Sequence, residues 1–169
     1  MPINTQVFRG SEASLQLAKL DSPAGALGDQ IFNTEYNIST VGRVTGVQIC
    51  VETDLEAFHE IGSRLSVNVY PGTINICGSV ERAYINGALL RLLMGDLALS
   101  PPTKNELQPQ FNLTLDLTDP GQAGGVGTKV IVEGVRFHNW NLIVPEDDFI
   151  TEKMTFKAVH IHREEKTGS

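Results

Sequence analysis

The chain has 169 residues, 41% of them hydrophobic and 20% charged, which suits a single domain with a substantial core and excludes a disordered chain. Lys and Arg total 13 against 20 Asp and Glu, a net charge of −7, which argues against a protein that grips nucleic acid by its phosphates. No apolar run approaches the ~20 residues of a membrane helix, so no membrane insertion by this chain is expected.

In chain order, residues 1–13 are polar and without period and read as an N-terminal arm. Residues 14–20 alternate as a first strand. Residues 21–36 hold Pro23, Gly25, Gly28, Asp29 and Asn33 and are expected to form a long loop. Loops above about 12–15 residues in a compact domain usually serve a function, here contact with a partner chain. Residues 41–51 form a strand, while residues 53–62 are ambiguous, because Leu55, Phe58 and Ile61 are spaced by three among strand neighbours. Leu65, Val67 and Val69 alternate up to Pro71-Gly72, which is expected to turn the chain into a hairpin.

The following stretch changes period. Ile74, Ile76, Gly78 and Val80 fall on alternate positions, whereas Ile85, Leu89, Leu92 and Leu93 gather on one side of a helix. Asn86 is placed to cap its start and Gly95 to end it. Residues 100–109 are a proline-stiffened connection. Phe111, Leu113, Leu115 and Leu117 alternate strictly with polar residues, the cleanest strand in the chain. After a glycine-rich tip at residues 119–128, residues 129–143 and 149–162 form two more strands around the turn at residues 144–148, and residues 163–169 are a frayed, charged tail. The pattern is mainly β with one helix: about seven mostly antiparallel strands closing into a barrel or two packed sheets, in one domain over residues 1–169.

Chemistry is sparse. The tip ends Gly127-Thr128-Lys129, without the Gly-Lys-Ser/Thr order of a phosphate loop, and leads into a strand. His160 and His162 share one face of a strand, but no third metal ligand is evident from the sequence, and His59 and His138 have no spacing relation to them. Glu146, Asp147 and Asp148, with Glu133 in reach across the hairpin, read as a solvated acidic turn. Met1-Pro2-Ile3-Asn4-Thr5 has neither the basic region nor the apolar stretch of a secretory signal, so Cys50 and Cys77 are expected as reduced, small buried hydrophobes in a cytoplasmic setting. Trp140 reads as a packing or interface anchor. The expectation is a protein without enzymatic activity, cofactor or metal.

Residues 71–90, from Pro71-Gly72-Thr73-Ile74 to Gly87-Ala88-Leu89-Leu90, resemble tail tube proteins of tailed bacteriophages. So do Glu133-Gly134-Val135-Arg136-Phe137-His138-Asn139-Trp140 and Pro145-Glu146-Asp147-Asp148-Phe149 with their closing strand. The resemblance covers residues 8–162 in layout. It implies two packed, mostly antiparallel sheets with a flanking helix, the fold shared with the type VI secretion tube protein. It implies homo-hexameric rings stacked into a tube, a virion tail component assembled in the host cytoplasm, with sheath, baseplate and terminator proteins as partners. The tube would be the conduit for genome delivery, its acidic lumen passing DNA without specific binding. Asn112, Thr114, Asp116, Asn139 and Asn141 are the candidate lumen residues. Asp21, Pro23, Asp29, Asn33, Pro101, Pro102, Lys104 and Glu106 are the candidate inter-ring contacts. The alternatives are another tail ring of the same fold, namely a terminator, initiator or baseplate hub, and an enzyme or ligand-binding barrel.

Overall fold

The alternating leucines that follow Phe111 do form a strand; Phe111 and Leu113 are buried in a core shared by two β-layers, while Leu115 and Leu117 are half-buried at its margin. A computed structural model describes residues 10, 13–37, 40–99, 107–118 and 127–166. The elements are β1 (Ala13–Lys19), α1 (Pro23–Asp29) with a π-helical turn (Gln30–Glu35), β2 (Val44–Phe58), β3 (Asn68–Ala83), and α2 (Ala88–Met94) with a 3-10 turn (Gly95–Ala98). The remaining strands are β4 (Phe111–Thr118), β5 (Gly127–Ile143), β6 (Thr151–Ala158) and β7 (His160–Lys166). All pairings are antiparallel, in the order β1-β4-β5-β6-β3-β2, with β7 also on β5.

β5 belongs to both layers. Residues 127–133 pair with β4 and β7, and residues 136–143 pair with β6. Between them, Glu133 and Gly134 stand opposite Asn112 alone, a β-bulge. Gly134 has φ +68°, and a Cβ there would lie 2.7 Å from Val159 Cγ2, so glycine is required on both counts. The Asn112 side chain accepts the Gly134 N–H at 3.1 Å. The first layer therefore holds β1, β4, β7 and the start of β5; the second holds β2, β3, β6 and its end.

Leu15, Leu17, Phe111, Leu113 and Val132 of the first layer meet Val80, Phe137, Met154 and Phe156 of the second in one core cluster. Phe32, Phe111, Phe137 and Phe156 run through it with ring centroids 6.5, 5.1 and 6.5 Å apart, in tilted and edge-on contacts that suit their quadrupoles. α2 buries Ala88, Leu89 and Leu92 against this core. Asn86 Oδ1 accepts the Ala88 N–H at 3.1 Å and Gly95, at φ +62°, ends the helix, as the sequence indicated.

Several expectations are corrected. Within residues 21–36, Pro23–Asp29 and Gln30–Glu35 are helical: Ser22 Oγ accepts the Gly25 N–H at 2.9 Å, Pro23 occupies the first turn, and Ile31 and Phe32 are fully buried. The glycines suggested a loop, but a Cβ at Gly25 would lie 1.9 Å from the Leu20 carbonyl oxygen, so Gly25 is there for close packing. Pro71-Gly72 is no turn. β3 runs straight through it, with Gly72 and Thr73 opposite the single Asp54 in a bulge next to Pro71, which pairs with Leu55. The ambiguous residues after Thr53 continue β2 to Phe58, and the turn lies at residues 59–67, closed by Val67 N–H to the Phe58 carbonyl at 2.9 Å. Residues 149–162 form two strands, split at Val159, and Arg163 to Lys166 belong to β7 and not to a frayed tail. Among the described residues seven strands result, with different partitions from those expected. The glycine-rich tip up to Val126 and residues 1–9 of the arm lie outside the described residues.

Among the described residues one ion pair is fully enclosed: Arg82 Nε donates to Glu152 Oε1 at relative exposures of 1% and 0%. Trp140 Nε1 donates to Glu152 Oε2 at 2.9 Å and Arg82 Nη2 to Asn86 Oδ1 at 3.3 Å, so the pair ties β3, β5 and β6 to the start of α2. A buried pair contributes little net stability, yet breaking it strands a charge. Glu152→Gln is expected to cost about 3–5 kcal/mol in urea unfolding. The double variant R82M/E152L is expected to recover most of that, and a cost under ~1 kcal/mol for the single variant would refute the account.

Candidate assembly surface

β2 and β3 outrun the rest of their layer. β6 leaves β3 at Ile76, so beyond Asn75 the two strands continue alone as a hairpin. From Val51 to Phe58, at ~3.3 Å per residue, it reaches about 25 Å past the body. Its large apolar side chains stand in solvent, among them Leu55 at 66% exposure, Phe58 at 52%, Ile61, Leu65 and Ile74. An exposed apolar patch of this kind marks an interaction surface. The sequence signal was present but ambiguous: apolar residues fall on both parities among Asp54, Glu56 and Glu60, with no consistently dry face.

The opposite end of the same layer is also apolar. There Ala83 pairs with Thr151 and Thr151 with Ile143, and around this rim Phe149 is 82% exposed beside exposed Val144, Ile85 and Tyr84. The acidic turn Glu146, Asp147 and Asp148 flanks it, and Glu133 lies far from that turn, at the β5 bulge.

The second layer has two lateral edges, β2 and residues 136–143 of β5, neither with a further strand beside it among the described residues. Alternate antiparallel pairings make these edge strands run in opposite directions. Its outward face is fixed by register, because cross-strand partners share a side. Asn139 and Asn141 lie there with Thr155, Lys153, Ser79 and Gln48. Arg136, Lys153 and Lys157 share this face with Glu81 and Glu52, so its charge is mixed. Cys50 and Cys77 stand directly opposite one another on it, half-buried, and are not the core residues expected.

Asn112, Thr114 and Asp116 are half-buried on the outward face of the first layer, with Asp116 opposite Lys129. Both inner faces pack into one core, so this set and the Asn139, Asn141 set point away from each other and do not share a surface. Asp21, Pro23, Asp29 and Asn33 lie on and beside the α1 helical segment, where Asn33 Nδ2 donates to Asp29 Oδ1. Pro101, Pro102, Lys104 and Glu106 lie outside the described residues. His160 and His162 do have a third neighbour, Glu133, directly across from His160. Between the two layers at their β1 and β2 margins a groove of about 770 Å³ is lined by Leu15, Val41, Val44, Val47, Leu115 and Leu117.

No protein-family model and no curated protein matches the sequence. Solved structures do match in fold. The PVC extracellular contractile injection system, sheath–tube complex in the extended state, aligns at TM-score 0.63 and 8% identity over 96% of this chain and 95% of that one. The tube-terminating cap of the anti-feeding prophage aligns at 0.64 and 9% over 98% and 97%. The SPP1 tail tube aligns at 0.57 and 8% over 95% and 80%. The chain thus has the tail-tube fold: a curled, largely antiparallel β-structure with flanking helices. Among the described residues no helix is long and apolar enough to cross a membrane.

Desolvation, then the Glu52 carboxylate and the Cys77 thiol, push the Cys50 thiol pKa up, so its reactive thiolate is scarce at neutral pH. The sign is that of an acid whose charged form is disfavoured, so reactivity rises only above the ordinary thiol range. Iodoacetamide labelling followed at the Cys50 peptide by mass spectrometry is expected to be several-fold slower at pH 7 than for a free cysteine peptide. A pH midpoint at or below the free thiol value would contradict this.

Proposed function

We propose that this protein is a structural subunit of a phage-like tail tube, in which copies form hexameric rings that stack into a hollow conduit. The observation that carries this reading is the four-stranded second layer, with an apolar hairpin at one end, an apolar rim at the other and two bare edges running in opposite directions.

Rotating one copy beside another brings β2 next to the neighbour's β5 in antiparallel order, continuing the alternation of the layer. Such head-to-tail contacts close into a ring and leave no exposed edge. The hairpin of one ring then meets the rim around Phe149 of the next, burying apolar surface at about 25 cal/mol per Å². The lumen wall is the face bearing Asn139 and Asn141, with Arg136, Lys153 and Lys157 set among Glu52 and Glu81. Interleaved charges of both signs deny a polynucleotide the continuous basic track that tight phosphate binding needs, so it passes without specific binding. The face with Asn112, Thr114 and Asp116 is then on the outside, available to a sheath, and the tube ends to baseplate and terminator proteins. The particle is a virion tail or a related injection device.

A ring that ends the tube is the second reading, favoured by the alignment to a terminating cap at TM-score 0.64. Negative-stain microscopy and sedimentation of the purified chain decide: stacked rings or tubes are expected, single closed rings support the cap, and monomers at high concentration overturn both. The variant L55D/F58D is expected to unfold within ~0.5 kcal/mol of the parent, since both side chains are in solvent. Its pelletable assembly is expected to fall about tenfold or more, as a loss of ~1.4 kcal/mol per contact suffices. Unchanged assembly would remove the hairpin from the stacking interface.

A further inference from the structure

The bulge that sends β5 from one layer to the other also aims a carboxylate at two imidazoles. His160 and His162 project from one face of β7, and Glu133 is the cross-strand partner of His160. Glu133 Oε2 lies 3.5 Å from His160 Nδ1 and Oε1 lies 3.7 Å from His162 Nδ1. One ligand atom from each of the three residues falls within 4.8 Å of the others, and the imidazole centroids are 5.8 Å apart. Ligand atoms held at 2.0–2.1 Å from a tetrahedral zinc ion are about 3.3 Å apart, so small rotations of these side chains suffice to close a shell.

The support beneath the site is rigid. Val159 N–H donates to the Glu133 carbonyl at 3.0 Å, and Asn112 and Gln110 side chains hold the N–H and the carbonyl of Gly134 at 3.1 and 3.2 Å. The backbone on both sides of the site is therefore pinned where β5 turns and where β6 passes into β7. Lys129, on this face, stands between Asp116 and Glu164 in register, which offsets its charge.

We propose that Glu133, His160 and His162 form a binding site for one divalent transition-metal ion of the zinc class, completed by water. Two borderline nitrogen donors and one oxygen donor suit zinc, cobalt or nickel and do not suit magnesium or calcium, which take oxygen shells. The ion clamps β7 to the bulged turn of β5, so its role is to fasten the outward face of the first layer. The site stands or falls independently of the tube reading.

Calorimetric titration of the full chain, stripped with chelator, is expected to show one zinc ion per chain and no magnesium binding. Cobalt is expected to give a visible absorption spectrum of mixed nitrogen and oxygen ligation. H160A, H162A and E133Q are each expected to weaken zinc at least ~10-fold, while H59A and H138A leave it unchanged. Thermal melts of the parent are expected to rise with zinc and those of H162A to stay put, with circular dichroism confirming that the variant is folded. Absence of zinc binding by the folded parent, or binding that survives H160A and H162A, overturns the proposal.

Discussion

The structure depends on one backbone event, the reversal of β5 from one layer to the other at Glu133-Gly134. A strand that stayed in one sheet would leave an apolar face uncovered. By inserting one residue opposite Asn112 and adopting a left-handed φ at Gly134, β5 carries its pairing from β4 and β7 to β6 and folds the two halves face to face. The core, the two outward polar faces and the position of Glu133 beside the β7 histidines all follow from that corner. A glycine is specified twice over, by its φ and by the packing of Val159 against it.

Burial is uneven in a way that separates folding from assembly. Around Phe111, Phe137 and Phe156 side chains are wholly enclosed, and even the Arg82–Glu152 pair is sealed under Trp140 and Asn86. From Val51 to Ile74 the chain is exposed throughout. The hairpin therefore contributes little to the stability of the folded chain, and its exposed β-branched and aromatic side chains are the surface proposed above for stacking. The bulge at Gly72 and Thr73 keeps this long two-stranded ribbon twisted and admits Pro71 without losing pairing on either side.

A fold shared at 8–9% identity with injection-tube and cap subunits is consistent with this economy. What such chains must keep in common is alternation and a few bulges, since pairing between strands is made by backbone groups that every residue carries. Side chains on the two outward faces are then free to diverge. The mixed charge of the Asn139, Asn141 face shows that the net charge of a whole chain says little about any one face of it.

By itself the sequence determined the class of fold, the strict strand at Phe111 to Leu117, the strand-to-helix passage ending at Gly95, and the family resemblance, because these rest on local period and capping, which act within a few residues. Only the tertiary structure decided the rest. It made most of residues 21–36 helical, since Gly25 was needed for a close approach to Leu20 and not for a turn. It carried β3 through Pro71-Gly72, since a bulge on one strand can absorb a proline when its partner allows it. It split the candidate lumen residues between opposite faces and set Glu133 beside His160 and His162, because the faces and neighbours of a strand are fixed by partners distant in the chain, and no local pattern encodes which strand those partners will be.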